Sequence, residues 1–119
     1  MKTIRSIAEL ERIGIIRRLD SDLSDVERHF STAVSGAMIQ QIDLADPKDP
    51  VYRQFIPSAD ERNIAADDLH DPIGDATYSP VKGLVHRHAD RCLLMPVNVC
   101  AVYCRFCFRR ELIGPGAAA

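Results

Sequence analysis

Cys100, Cys104 and Cys107 fall within eight residues, spaced x3 and then x2. Three thiolates this close can hold one metal site between them, and the residues around them are aromatic and basic: Cys100-Ala-Val-Tyr-Cys-Arg-Phe-Cys-Phe-Arg-Arg110. A four-iron cluster ordinarily takes four cysteine ligands. A three-cysteine loop therefore leaves one iron with an open position, and open metal positions are where chemistry happens. Structural zinc is a rival reading. Cys104-Arg-Phe-Cys107 is one CxxC pair, Cys100 a third ligand, and His86 or His88 a fourth, although such sites typically show two pairs. A catalytic or sensing disulfide is a third reading. Three cysteines without a second pair fit a site-differentiated cluster better than zinc. Cys92, eight residues earlier in an apolar run, reads as a buried small hydrophobe.

The elements around the cysteines must position them. Residues 81–87 look extended, His88-Ala-Asp-Arg91 can turn, and Cys92 to Val99 is a dense apolar run with Leu93, Leu94, Val97 and Val99. A run bounded in this way suits a buried strand of an α/β protein. The cysteine loop would then follow a strand's C-terminal end, where barrels and open parallel sheets place active sites. Further back the chain reads helical. Ser6-Ile-Ala-Glu9 has capping-box form, Ile7, Leu10 and Ile13 follow at helical spacing, and Gly14 is a natural stop. A second helix is expected from near Asp22, with Leu23, Val26, Phe30 and Val34 on one face, and Ser35 can cap a third through Met38, Ile39 and Ile42. Asp46-Pro47, Asp49-Pro50 and Ile56-Pro57 break regular structure. Ser58-Ala-Asp-Glu61 is another capping box, and His70-Asp-Pro-Ile-Gly-Asp75 reads as an exposed turn. Apart from the final Gly-Pro-Gly-Ala-Ala-Ala, no tract is of low complexity.

A chain of 119 residues, 46% hydrophobic and 27% charged, has the size of one small soluble domain. Its net charge of −2 argues against a general nucleic-acid binder. The charge is unevenly placed: residues 82–110 carry six basic side chains against one acid, and residues 43–75 nine acids against three bases. The basic cluster coincides with the cysteines and suits small anions such as phosphates or carboxylates; a solvated basic face paired with the acidic segment is the plainer alternative. No apolar run reaches the ~18 residues of a membrane span, and the start lacks the apolar stretch of a secretory signal. The expected address is cytoplasmic, where a tight cysteine cluster reads as metal-binding rather than as a disulfide set.

The flanking residues add a family resemblance. Cys-x3-Cys-x2-Cys with an aromatic before the last cysteine resembles the signature of the radical S-adenosylmethionine superfamily. The wider set narrows this: Asp71-Pro-Ile-Gly, Ser79-Pro-Val-Lys-Gly-Leu-Val-His-Arg87, Asp90-Arg91 and the stretch from Cys100 to Arg110 together are similar to the lysine 2,3-aminomutase family. Ile42-Asp-Leu-Ala-Asp-Pro47, Arg53-Gln and Ile56-Pro57 resemble that family's N-terminal helical region. The similarity covers nearly the whole chain and is strongest over residues 71–116. It implies that Cys100, Cys104 and Cys107 ligate a 4Fe–4S cluster whose fourth iron takes S-adenosylmethionine. Radical chemistry, with pyridoxal 5′-phosphate as second cofactor, would then move the amino group of lysine from the α to the β carbon. Arg109 matches the arginine that holds the substrate carboxylate. Arg87 and Arg91 match the pair flanking pyridoxal phosphate, and His88 falls where the family usually has a tyrosine. The resemblance further implies an electron donor such as flavodoxin or ferredoxin, and allows a homo-oligomer.

The fold so implied is α/β: an N-terminal helical region over residues 1–78, then over residues 79–119 the first strands of a partial (β/α) radical S-adenosylmethionine barrel, truncated. A full eight-unit barrel takes roughly 250 residues. The glycine-rich strand end that should meet S-adenosylmethionine is absent, and none of Lys2, Lys48 and Lys82 resembles the family's pyridoxal phosphate lysine. The chain is therefore expected to be the N-terminal portion of such an enzyme, inactive alone and prone to associate through an exposed sheet edge. The alternative function is a non-catalytic zinc or iron–sulfur binding module.

Overall fold

The computed structural model describes residues 2–16 and 23–114. Helix α1, Ile7–Arg12, begins where Ser6 accepts from the Glu9 amide, and it ends at Gly14, whose φ of 78° is the left-handed value a helix stop needs. Ile7 and Leu10 face the core, whereas Ile13 is half exposed. Helix α2, Ser24–His29, buries Val26 and is preceded by the buried Leu23. It is shorter than its apolar spacing suggests: the chain turns extended at Phe30, and Val34 reaches the core by bridging Ile4. The predicted start at Asp22 lies outside the described residues, as does the Pro-Gly-Ala-Ala-Ala of the C-terminal tract.

Helix α3, Gly36–Ile39, is capped by Ser35 as its sequence predicts. Helix α4, Pro50–Phe55, occupies a stretch expected to be irregular. Asp49 accepts from the Tyr52 amide and Pro50 takes the first turn, where its missing N–H costs nothing. A short 3-10 helix, Ala59–Arg62, follows with its capping box formed between Ser58 and Glu61. Ile7, Leu10, Ile16, Leu23, Val26, Val34, Phe55 and Ile56 make one buried cluster, so the core lies within the first half of the chain.

The second half is built differently. A 3-10 helix, Asp75–Tyr78, leads into a hairpin of β1, Leu84–His88, and β2, Arg91–Leu94, paired antiparallel with an irregularity between Val85 and His88. Among the described residues this is the whole of the sheet. Helices with a two-stranded antiparallel sheet are compatible with a portion of an α/β protein. The expected buried strand from Cys92 to Val99 is not there. The strand ends at Leu94, every residue of β2 is exposed, and Cys92 is exposed with it. Apolar content sets what a segment can bury; with no layer packed over this face among the described residues, Leu94, Val97 and Val99 stay 60–67% exposed.

Candidate functional site

The cysteine loop runs without regular structure from residue 95 to a short 3-10 turn, Arg110–Leu112. What fixes it is the helical half. Tyr103 donates its amide to the Ala33 carbonyl at 2.8 Å, and Arg105 donates its own to Gln54 at 2.7 Å. Val102 and Cys104 pack against the core cluster. The Arg105 side chain, 7% exposed as a residue, forms a fork on Glu61: Nε to Oε1 at 3.0 Å and Nη2 to Oε2 at 2.7 Å. Its Nη1 donates to the Ser31 carbonyl at 2.9 Å. Glu61 also accepts from the Ser58 amide, so one carboxylate caps a helix and clamps the loop. Arg110 adds to the clamp, with its guanidinium 3.4 Å from the centre of the Phe30 ring and 3.6 Å from Glu61. The anchoring leaves the buried Tyr103 hydroxyl without a hydrogen-bond partner among the described residues.

Against this anchored frame Cys104 and Cys107 are half-buried, and Cys100 is exposed. The Cys107 amide donates to the Cys104 carbonyl at 3.2 Å, a tight turn that sets these two side by side in the chain. Among the described residues no three His, Cys, Asp or Glu side chains converge to hold a metal ion. Three free thiols on one loop are the donor chemistry an iron–sulfur cluster takes, but among the described residues they are not brought together around one point. Phe106, between Cys104 and Cys107, is 75% exposed. His86 and His88, the fourth ligands weighed for zinc, sit exposed on β1.

Of the predicted anion-binding residues, the structure brings two together. Arg109 Nε donates to Asp75 Oδ2 at 2.7 Å, and Arg87 Nη2 donates to Asp75 Oδ1 at 3.1 Å and to the Ile73 carbonyl at 2.6 Å. Arg87 stacks on Tyr78 and Arg109 on Phe108, at 4.4 and 4.6 Å. Asp75 is buried at 5% exposure, contrary to the exposed turn its sequence suggests. Burial pushes the Asp75 carboxyl up, but the hydrogen bonds from Arg109 and Arg87 and their charges outweigh it, holding it below the usual aspartate value. Arg91 and His88 lie elsewhere, facing each other across the exposed hairpin turn, with Arg91 3.8 Å from Asp90. Arg109 and Asp75 border an open cleft of about 780 Å³ whose other walls include Val97, Val99, Phe108 and Leu112.

Three positions that hold the loop and its arginines in place escaped the sequence reading: Asp75, Glu61 and Arg105. The partners of Asp75 lie 12 and 34 residues away and those of Arg105 44 and 74, beyond the reach of any local pattern. The capping box at Ser58 marked Glu61 as structured, but not as the clamp.

Compared with known proteins, the chain matches no family model. It is 39% identical over 112 residues to the L-lysine 2,3-aminomutase of Clostridium subterminale, covering 93% of this chain and 27% of that one. It is 42% identical over 104 residues to the L-lysine 2,3-aminomutase of Acetoanaerobium sticklandii, covering 87% and 23%. Against the protein of that name from Escherichia coli the figures are 40% over 82 residues, 69% and 24%. The chain thus spans about a quarter of the length of these relatives.

Proposed function

We propose, from the premise that this chain belongs to the lysine 2,3-aminomutase family over the segment it spans, that it is the N-terminal portion of a radical S-adenosylmethionine, pyridoxal phosphate-dependent aminomutase converting L-lysine to β-lysine. The observation that carries this reading is the Cys100, Cys104, Cys107 spacing with Arg109 two residues on, in a loop clamped to the helical half. In this reading residues 1–78 are the helical region and residues 79–119 the opening of a partial barrel. Cys100, Cys104 and Cys107 would hold a 4Fe–4S cluster. Such a cluster, when bound, supplies the electron that reductively cleaves S-adenosylmethionine, and an electron donor of the flavodoxin or ferredoxin class would replenish it.

The chain's own residues would bind and orient. Arg109 meets the substrate carboxylate, a task suited to a guanidinium because it offers two parallel donors. Arg87, His88 and Arg91 are assigned to the pyridoxal phosphate. Arg87 and Arg109 share Asp75, which supports a cofactor flank close to the carboxylate seat; Arg91 and His88 would have to come in from the hairpin turn. The chain by itself is inactive in this reading. Among the described residues no helix is long and apolar enough to cross a membrane, which is compatible with a cytoplasmic address.

Anaerobic reconstitution with iron and sulfide tests the reading. The expected product is brown and carries close to four irons per chain, and the spin-resonance signal of its reduced cluster changes when S-adenosylmethionine is added. Substituting any one of the three cysteines with serine should abolish that response, whereas Cys92→Ser should leave it intact. Tight one-to-one zinc binding with no cluster would overturn the proposal in favour of a structural module.

A further inference from the structure

Asp75 spends each carboxylate oxygen on a different arginine, and those arginines come from different elements: Arg87 from β1 and Arg109 from just beyond the cysteine loop. It is itself fixed without either. Its amide donates to Asp71 Oδ1 at 2.9 Å, its carbonyl accepts from Ser79 Oγ at 2.8 Å, and Asp71 Oδ2 takes the Ala76 amide at 2.8 Å. Gly74 precedes it at φ 69°, the left-handed conformation that turns the chain into this knot. A buried carboxylate held by its own backbone is a fixed post rather than a side chain that adapts to its partners.

How Arg109 is held matters more than that it is held. Asp75 takes Nε, and among the described residues Nη1 and Nη2 have no hydrogen-bond partner. An arginine pinned by Nε keeps its terminal pair of donors free as a fork, the arrangement that meets a carboxylate by two parallel bonds. Its stacking over Phe108 restricts rotation about the remaining axis. Two guanidiniums brought this close would repel without an anion between them; Asp75 lets Arg87 stand beside Arg109 before any ligand arrives.

We infer that Asp75 is a positioning residue for the Arg109 seat: it pins Arg109 by Nε, leaves the Nη fork free in the cleft for a ligand carboxylate, and ties that seat to Arg87. The inference rests on the reading of Arg109 as a carboxylate seat and adds the residue that presets it.

The test uses the 119-residue chain with its arginine nitrogens labelled, titrated with L-lysine and with L-lysine methyl ester, which lacks the carboxylate charge. In the wild type, L-lysine should shift the Arg109 Nη and Phe108 signals, with the ester binding at least about tenfold more weakly. Asp75→Asn should weaken L-lysine binding about tenfold and release the Arg109 Nε–H to fast solvent exchange, with Asp75→Glu falling between. The Arg105 Nε–H, bonded to Glu61, reports whether each variant is folded. L-lysine affinity unchanged in folded Asp75→Asn, but lost in Arg109→Lys, would overturn the positioning role and leave Arg109 as the seat. If Asp75→Asn loses the Arg105 signal, unchanged affinity in Asp75→Glu overturns the role equally. L-lysine binding no better than its ester, or not at all, would sink the seat and the inference together.

Discussion

Arg105 sits between two proposed metal ligands, yet its guanidinium points away from them, onto Glu61 and the Ser31 carbonyl. Its charge is satisfied by a fork plus a backbone acceptor, the condition under which a buried ion is tolerated. Removing one member leaves the other buried without a counter-charge. Glu61→Ala should therefore destabilise the chain by about 3–5 kcal/mol, a large share of the roughly 5–15 kcal/mol that holds a small domain together. It should also remove the Glu61 half of the capping box, leaving the Ser58 hydroxyl on the Asp60 amide. Urea unfolding followed by circular dichroism measures the loss; a midpoint within error of the wild type would show that the pair contributes nothing net. Arg105→Lys should fall short of wild type as well, since an ammonium cannot reproduce the fork.

At the scale of elements, the hairpin depends on a close approach at Gly83. Met95 donates its amide to the Gly83 carbonyl at 2.7 Å, and a Cβ built on Gly83 would lie 2.9 Å from the Met95 carbonyl oxygen. Gly83 also holds φ at 78°, a left-handed value that costs other residues roughly 1–2 kcal/mol. Gly83→Ala combines that strain with a backbone clash. It should raise amide exchange selectively across β1 and β2 while leaving α1 and α4 protected; uniform loss of protection would instead mean that the hairpin and the helical half fold as one unit.

The elements also show where sequence is informative and where it stops. Ser6, Ser35 and Ser58 announce their helices because a cap is a local exchange between a side chain and an amide three residues on or fewer. Asp49-Pro50 carries the same kind of signal, an N-cap followed by a proline already set for the first turn. Read as a breaker, it hid α4. The apolar run after Cys92 misled for another reason: hydrophobicity says what a segment would bury, not whether anything covers it. The cysteines were legible because their spacing is itself the signal, and Arg109 because the family resemblance singled it out. Asp75 and the Arg105 clamp were not, since each is defined by partners that only the folded chain brings near.

Over the whole molecule, burial is divided unequally. The core cluster draws on residues 7–56, whereas Ile64, Leu69, Leu93, Leu94, Val97, Val99, Phe106, Phe108 and Leu112 are all exposed. Large apolar residues gathered on one half of a small protein, beside a hairpin with an open edge, favour association. The 119-residue chain should therefore sediment as concentration-dependent oligomers at tens of micromolar. Leu94→Lys combined with Val97→Lys should shift it toward monomer with little change in unfolding midpoint, because neither side chain is buried. A monodisperse wild-type monomer across that range would refute this.

The backbone bonds from Tyr103 to Ala33 and from Arg105 to Gln54 also have a consequence in time. A loop shaped by partners about fifty to seventy residues upstream cannot adopt its shape until those partners are in place, and contacts of such sequence separation form late. The cysteines' spacing in space is thus an outcome of folding rather than a template for it. The helical half is therefore expected to form before the thiols acquire a fixed geometry; pulse-labelled amide exchange protecting Tyr103 and Arg105 as early as Leu10 and Val34 would show otherwise.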